Sequence, residues 1–281
     1  MKKTLLGAIV AVALSGSAFA ADLPARTYTK APPPVVPVWS WTGFYIGGDL
    51  GGAWIQKDNA LLSLPPGPPQ AFLPFLASGA IPVNYSTQGA SFLYGAHGGY
   101  NFQVNNFVLG AEADIFGISS RFTQNQTTAV PTFQSFGLTY ATKVDYVGTI
   151  RGRAGLLVTP TVLLYATGGF AYGQVNHTYS ESFGAVSAPF AINQSLGGST
   201  NTNTGWVAGV GAEWMVTQNW SLRAEYLYVT LSSSSFTTPS NNPTCGVVNA
   251  CSFTLSPSNL GLNIARVGLS YKFGDPLVAK Y

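Results

Sequence analysis

From Tyr140 to Tyr172 the chain alternates in two runs joined by Val158-Thr159-Pro160-Thr161. In the first run Val144, Tyr146, Ile150, Ala154, Leu156 and Val158 share one parity, and Lys143, Asp145, Thr149, Arg151 and Arg153 share the other. A strand sends successive side chains to opposite faces, so one face is apolar and the other carries both signs of charge. The second run sets Val162, Leu164, Ala166, Phe170 and Tyr172 against Tyr165, Thr167, Gly169, Ala171 and Gly173. Half-buried strands of water-soluble sheets also alternate. Here the runs are long, their apolar faces end in aromatics, and the opposite face mixes glycine with charge, which suits a barrel with hydrocarbon outside and a polar interior.

The same period recurs along the chain. Phe44, Ile46, Gly48, Leu50, Gly52 and Trp54 form the outer parity of a first strand. Phe92 to Phe102, Phe107 to Ile115, Trp206 to Trp214, Trp220 to Tyr228 and Ala265 to Phe273 supply five more. With the hairpin above, the pattern predicts eight strands, joined by tight turns near Asn105, Pro160 and Gln218 and by long connections over 55–88, 117–137, 176–203 and 232–258. Short links alternating with long ones mark an outer-membrane barrel, whose tight turns face the periplasm and whose long loops face the exterior. The expected fold is therefore all-β: a closed antiparallel eight-stranded transmembrane barrel with four long outer loops.

Composition sharpens this picture. Only 8% of the 281 residues are charged, against about 25% in an ordinary soluble protein, so much of the surface meets something other than water. Met1-Lys2-Lys3, the apolar run Leu5 to Leu14 and Ala18-Phe19-Ala20 read as a signal peptide over residues 1–20. Without Lys2 and Lys3 the thirteen basic residues become eleven against ten acidic, which leaves no basic surface for nucleic acid. Residues 21–38 are proline-rich and read as a semi-rigid periplasmic linker, 39–273 as the barrel, and 274–281 as a C-terminal tail.

On the inward parity, Asp49, Glu112, Asp114, Asp145, Glu213 and Glu225 meet Lys143, Arg151, Arg153, Arg223, Arg266 and Lys272. A basic residue on the lipid face costs about 2–4 kcal/mol at the midplane, so these twelve are expected inside as a paired lumenal network. An eight-stranded interior is just wide enough for side chains to fill, and a salt-bridged plug follows. The rival reading, an acid pair for glycoside hydrolysis, requires a cleft that nothing in the pattern supplies. No metal or cofactor set is expected, since His97 and His177 stand apart. Cys245 and Cys251, in an exported loop, are expected to form a disulfide. Trp39, Trp41, Tyr100, Phe102, Phe107, Trp214, Trp220, Tyr271 and Phe273 lie beside chain ends or short turns, as a periplasmic aromatic girdle requires. Trp54, Phe116 and Tyr228 are expected at the outer rim.

Ala21-Asp-Leu-Pro, Trp41-Thr-Gly-Phe-Tyr-Ile-Gly47, Val147-Gly-Thr-Ile-Arg-Gly-Arg153, Leu164-Tyr-Ala-Thr-Gly-Gly169 and Arg266-Val-Gly-Leu-Ser-Tyr-Lys-Phe273 resemble the RopB-like small outer-membrane β-barrel proteins of alphaproteobacteria, a porin-family and surface-antigen group. The resemblance covers nearly the whole chain. It implies an OmpA-like barrel in the outer membrane, inserted by the barrel-assembly machinery through a C-terminal aromatic signal, here Tyr271 and Phe273; Gly274 to Tyr281 follow, so either Phe273 or Tyr281 is the terminal residue read. The function expected is a structural, surface-exposed, non-enzymatic outer-membrane protein supporting the envelope and surface interactions; the alternative is a small porin passing ions or very small solutes. Outer-membrane lipid and lipopolysaccharide are the expected partners, and the pattern names no loop ligand.

Overall fold

The computed structural model describes residues 37–57, 59–63, 84–86, 89–119, 121–130, 133–184, 192–238, 253–274 and 277–278. The signal peptide, most of the linker, Cys245, Cys251 and the end of the tail lie outside the described residues. Eight strands form the wall: β1 (Gly43–Lys57), β2 (Ala90–Val104), β3 (Phe107–Ile118), β4 (Phe133–Thr159), β5 (Val162–Gly184), β6 (Ile192–Met215), β7 (Trp220–Leu231) and β8 (Leu260–Lys272). Each pairs antiparallel with its neighbours in sequence, and β8 pairs with β1 from Gly261↔Lys57 to Lys272↔Tyr45, closing the ring. Closure leaves the wall no free edge, the condition for crossing a bilayer with strands. At the first tight turn Asn105 takes φ 52°, a left-handed conformation that asparagine tolerates well.

The outer face of the wall is apolar. Phe44, Ile46, Leu50, Leu109, Ile115, Ile150, Leu156, Leu164, Val210, Leu222 and Val267 are all large and exposed. Aromatics bound this belt at both ends. At the tight-turn end Tyr100, Phe102, Phe107, Trp214, Trp220 and Phe273 are exposed, and Tyr271 packs between Trp220 and Phe273 at 5.1 and 5.2 Å. At the other end Trp54 lies 6.2 Å from Tyr226, Trp206 5.5 Å from Tyr228, and Tyr146 6.5 Å from Tyr172. On β6 the belt runs from Trp206 to Trp214, matching the roughly 9–11 residues that a tilted strand needs to span hydrocarbon.

Three aromatics depart from the expected girdles. Trp41 is 2% exposed and turns into the barrel mouth, and Trp39 packs half-buried against the same cluster. Phe116 is 1% exposed. It shares the inward parity of Glu112 and Asp114, so alternation places it inside.

The strands also continue where loops were expected. β4, β5 and β6 contain 27, 23 and 24 residues, about twice the membrane requirement. Within 117–137 the strand Arg121–Val130 pairs with the first half of β4, and across 176–203 the ladder of β5 and β6 runs on through Asn176↔Thr200 to Phe183↔Ile192. The connections over 55–88 and 232–258 contribute a second sheet, in the order Phe236–Thr238, Phe253–Pro257, Asn59–Ser63, Asn84–Ser86.

Beyond the outer rim the pattern inverts to suit water on the outside. Thr200, Thr202 and Thr204 face out, while Phe122, Val144, Val175 and Leu231 pack inside with Ile55, Leu93, Phe116, Val229 and Leu262. A bulge between Val144 and Tyr146 carries β4 across this boundary. An extra residue reverses which parity faces inward. Tyr140, Thr142 and Val144 are therefore buried before it, and Val147, Thr149, Arg151 and Arg153 after it.

Candidate functional site: a lumenal charge layer

Nine charged side chains meet at mid-height of the barrel: Asp49, Glu112, Asp114, Glu213, Glu225, Arg151, Arg153, Arg223 and Arg266, none more than 4% exposed at the side chain. Cross-strand register brings several of them face to face. Glu112 lies opposite Arg151, Glu213 opposite Arg223, and Glu225 opposite Arg266. The contacts then spread sideways.

Arg151 sits among three carboxylates, donating to Glu112, to Asp114 Oδ2 at 2.8 Å and to Glu225 Oε1 at 3.0 Å. Arg223 forks onto Asp49, with Nε to Oδ1 at 3.1 Å and Nη2 to Oδ2 at 3.0 Å, and its Nη1 reaches Glu112 at 2.7 Å. Arg266 joins Asp114 at 2.6 Å and Glu225 at 2.8 Å. Arg153 donates to Glu213 at 2.6 Å and lies 4.0 Å over the Tyr165 ring. Forked and charge-assisted bonds of this kind are among the strongest a protein makes. Buried charges also require such partners, because desolvation costs several kcal/mol per ion.

Neutral groups complete the layer. Tyr45 donates to Glu112 at 2.7 Å and accepts from Arg153 at 3.0 Å. Tyr165 donates to Glu225, Thr149 to Asp114 and Ser221 to Glu213. His97 bridges Asp49 and Ser270, at 2.8 Å to each. With these groups every wall strand contributes, β2 through His97 and β5 through Tyr165.

Inward glycines make the sideways reach possible. Tyr45 and Glu112 flank Gly99 across β1, β2 and β3, and Asp49 and Arg223 flank Gly268 across β1, β8 and β7. Tyr165 and Glu225 likewise flank Gly211, and His97 and Ser270 flank Gly47. A Cβ on Gly99 would stand 2.6 Å from the Tyr45 hydroxyl, and one on Gly268 would overlap the Asp49 carboxylate. The glycine is thus a gap through which a polar side chain meets the strand after next.

Two of the twelve charges expected in the lumen lie outside it, and a third stands at its mouth apart from the network. Lys143 pairs with Asp145 at 2.6 Å on the half-exposed outer side of β4, because the bulge reverses parity there. Asp145 also accepts from Asn176. Lys272, at the tight-turn mouth, donates to the Ser40 carbonyl. Tyr45, His97, Tyr165, Ser221 and Ser270 join the network without having been singled out as lumenal in the sequence; for all but Ser221, which lies between Met215 and Ser270, the signal is a polar residue of inward parity beside a glycine on the next strand.

Apolar layers enclose the charges on both sides. Toward the exterior lies the cluster containing Leu93, Phe116, Val147, Val207 and Leu227. Toward the tight-turn end Trp41 packs with Val108, Leu163, Tyr165 and Met215. Next to Trp41 a small cavity of about 10 Å³, roughly the room one water needs, is lined by Tyr45, Asn101, Glu213, Ser221, Trp220 and Lys272 among others.

Comparison with known proteins agrees with this architecture. The family model described as "Outer membrane protein beta-barrel domain" matches residues 6–273. The "31 kDa outer-membrane immunogenic protein" of Brucella melitensis biotype 1 is 31% identical, covering 97% of this chain and 100% of that one. The "22 kDa outer membrane protein" of Rhizobium leguminosarum bv. viciae is 27% identical over 72% of this chain and 70% of its own length. Among solved structures, the outer membrane protein OprG of Pseudomonas aeruginosa aligns at 12% identity and a TM-score of 0.44, covering 85% of this chain and 100% of that one. The closed eight-stranded ring, its lipid-facing belt and the family match over nearly the full length place this chain in the outer membrane β-barrel domain family and in the outer membrane itself.

Proposed function

We propose that this protein is a non-conducting, non-catalytic barrel that holds an exterior β-structured head at the cell surface, contributing to envelope integrity and surface contacts. The observation that carries this reading is the charge layer: guanidinium and carboxylate groups from adjacent and from distant strands are bonded to one another across the interior at mid-height. Apolar packing lies on either side. A conducting lumen requires hydrated space, and the side chains that could line one are engaged with each other. The same engagement argues against acid–base catalysis, since each of the five carboxylates accepts from a guanidinium.

The strands that run past the outer aromatic rim supply the exposed head, and the relatives named outer-membrane immunogenic proteins fit a chain whose exterior is displayed. The lipid belt and its two rims suit contact with outer-membrane lipid and lipopolysaccharide. The Tyr271–Phe273 end of β8 suits recognition by the barrel-assembly machinery.

Planar-bilayer recording of refolded protein tests this reading. Baseline current without sustained unitary openings is the expected result. Reproducible single-channel steps would establish the small-porin alternative instead.

A further inference from the structure

The segment just before β1 belongs to no strand of the wall, yet it closes the tight-turn mouth. Its hold is shared between its backbone and its side chains. The Trp41 amide donates to Gln103 Oε1 at 2.8 Å, and the Ser40 carbonyl accepts from Lys272. The Gln103 amide donates to Thr42 Oγ1 at 3.0 Å. Trp41 itself enters the mouth, where its indole N–H donates to the Pro160 carbonyl at 3.2 Å and its ring joins Val108, Leu163, Tyr165 and Met215. Behind it lies the small cavity, whose polar lining includes Glu213, Ser221 and Asn101. The Asn101 side-chain oxygen is buried there without a hydrogen-bond partner. On the outer side of the segment, Pro37–Val38 pairs antiparallel with Leu277–Val278, beyond the last wall strand.

We propose that residues 37–42 form a periplasmic lid over this small polar cavity, a vestibule at the tight-turn mouth, with Leu277–Val278 as its second anchor. Trp41, with Trp39 half-buried beside it, seats the lid, and four hydrogen bonds plus a two-residue ladder hold it. By contrast, each wall strand is bound along both edges for ten or more residues. The lid is therefore held less firmly than any wall strand. When it lifts, water reaches Ser221 and the Glu213–Arg153 pair. The charge layer and the apolar cluster above it still block passage, so the lid governs access to the vestibule and not flow through the barrel. This assigns a task to Leu277–Val278, which belong to no wall strand.

The test is thiol accessibility in the full-length protein refolded in lipid, using a membrane-impermeant charged alkylating reagent and peptide mass spectrometry to read each site. Ser221→Cys reports on the vestibule, and Leu227→Cys, beyond the charge layer, reports on the barrel as a whole. In the parent, Ser221→Cys is expected to react slowly; adding Trp41→Ala, or ending the chain after Gly274, is expected to raise its rate about tenfold or more through local opening, with Leu227→Cys unreactive throughout. Equal rates in the parent and both variants, whether fast or slow, would overturn the lid. Labelling of Leu227→Cys in step with Ser221→Cys would also overturn it, by showing that the wall has loosened. If Trp41→Ala does not refold, the truncated chain and Trp41→Phe decide: acceleration in the first with protection in the second supports the lid, and any other pair of results removes it.

Discussion

Replacing Gly268 by alanine is the sharpest test of the lumenal architecture. The added Cβ would overlap Asp49 Oδ1 and stand 3.0 Å from Arg223 Nε, so the forked Asp49–Arg223 pair must open. Overpacking a tight interior costs about 1–3 kcal/mol, and a lost hydrogen bond between charged groups about 1.5–3 kcal/mol. The smaller unfolded-state entropy of alanine returns about 0.4–1 kcal/mol. The net expectation is a loss of about 2–5 kcal/mol. Gly48 is the control: it faces lipid, and a Cβ there meets only the Gly95 carbonyl at 3.7 Å, so Gly48→Ala should be neutral or stabilising by up to about 1 kcal/mol. Urea titration of barrels folded into lipid vesicles, read by heat-dependent gel mobility, measures both. A second comparison isolates the cause. In an Asp49→Ala background the carboxylate is gone, and Gly268→Ala should cost less than about 1 kcal/mol more, a coupling that a double-mutant cycle detects. Equal stability of Gly268→Ala and Gly48→Ala, or full additivity with Asp49→Ala, would refute the argument that this glycine exists to let two strands meet over a third.

Two further predictions follow from the same geometry. Arg151→Met removes the guanidinium shared by Glu112, Asp114 and Glu225, and should cost about 3–5 kcal/mol; the barrel should still close, because Arg223 and Arg266 continue to hold those carboxylates, and the loss should appear as a lower urea midpoint. Around the bulge, Val144→Asp should destabilise by about 3 kcal/mol or more through an unpaired buried charge, whereas Lys143→Ala should change stability by no more than about 1 kcal/mol. The same unfolding assay separates the two neighbours, and a reversed ranking would mean that β4 does not change parity at Asp145.

Much of this was legible in the alternation. The wall strands, their order and the identity of nine lumenal charges follow from a two-residue period joined to the cost of placing Arg in hydrocarbon. Asp145 shows where such reading stops. A bulge inserts one residue without any change of composition, so Lys143 and Asp145 keep an apparent inward parity that the backbone does not honour. The exterior strands were hidden for a different reason. At the described positions from Asn176 to Asn203 the outward residues are Asn176, Thr178, Ser180, Gly198, Thr200 and Thr202, and the inward ones include His177 and Tyr179, so hydropathy shows no period although hydrogen bonding does. Trp41 is the third case. An interfacial Trp and a Trp folded into the mouth occupy the same place in sequence, and only the tertiary contacts with Gln103 and Pro160 distinguish them.

The polar contacts that cross a glycine change how the wall responds to force. A hydrogen-bonded ladder joins a strand only to its two neighbours, which would allow peeling in sequence from the β1–β8 seam. Here Asp49 on β1 also grips Arg223 on β7, and Tyr45 grips Glu112 on β3. Pulling out a single hairpin therefore breaks ties to strands it does not border. The cylinder should rupture all at once under load, as a stapled hoop does, with no partly unzipped stage along the way.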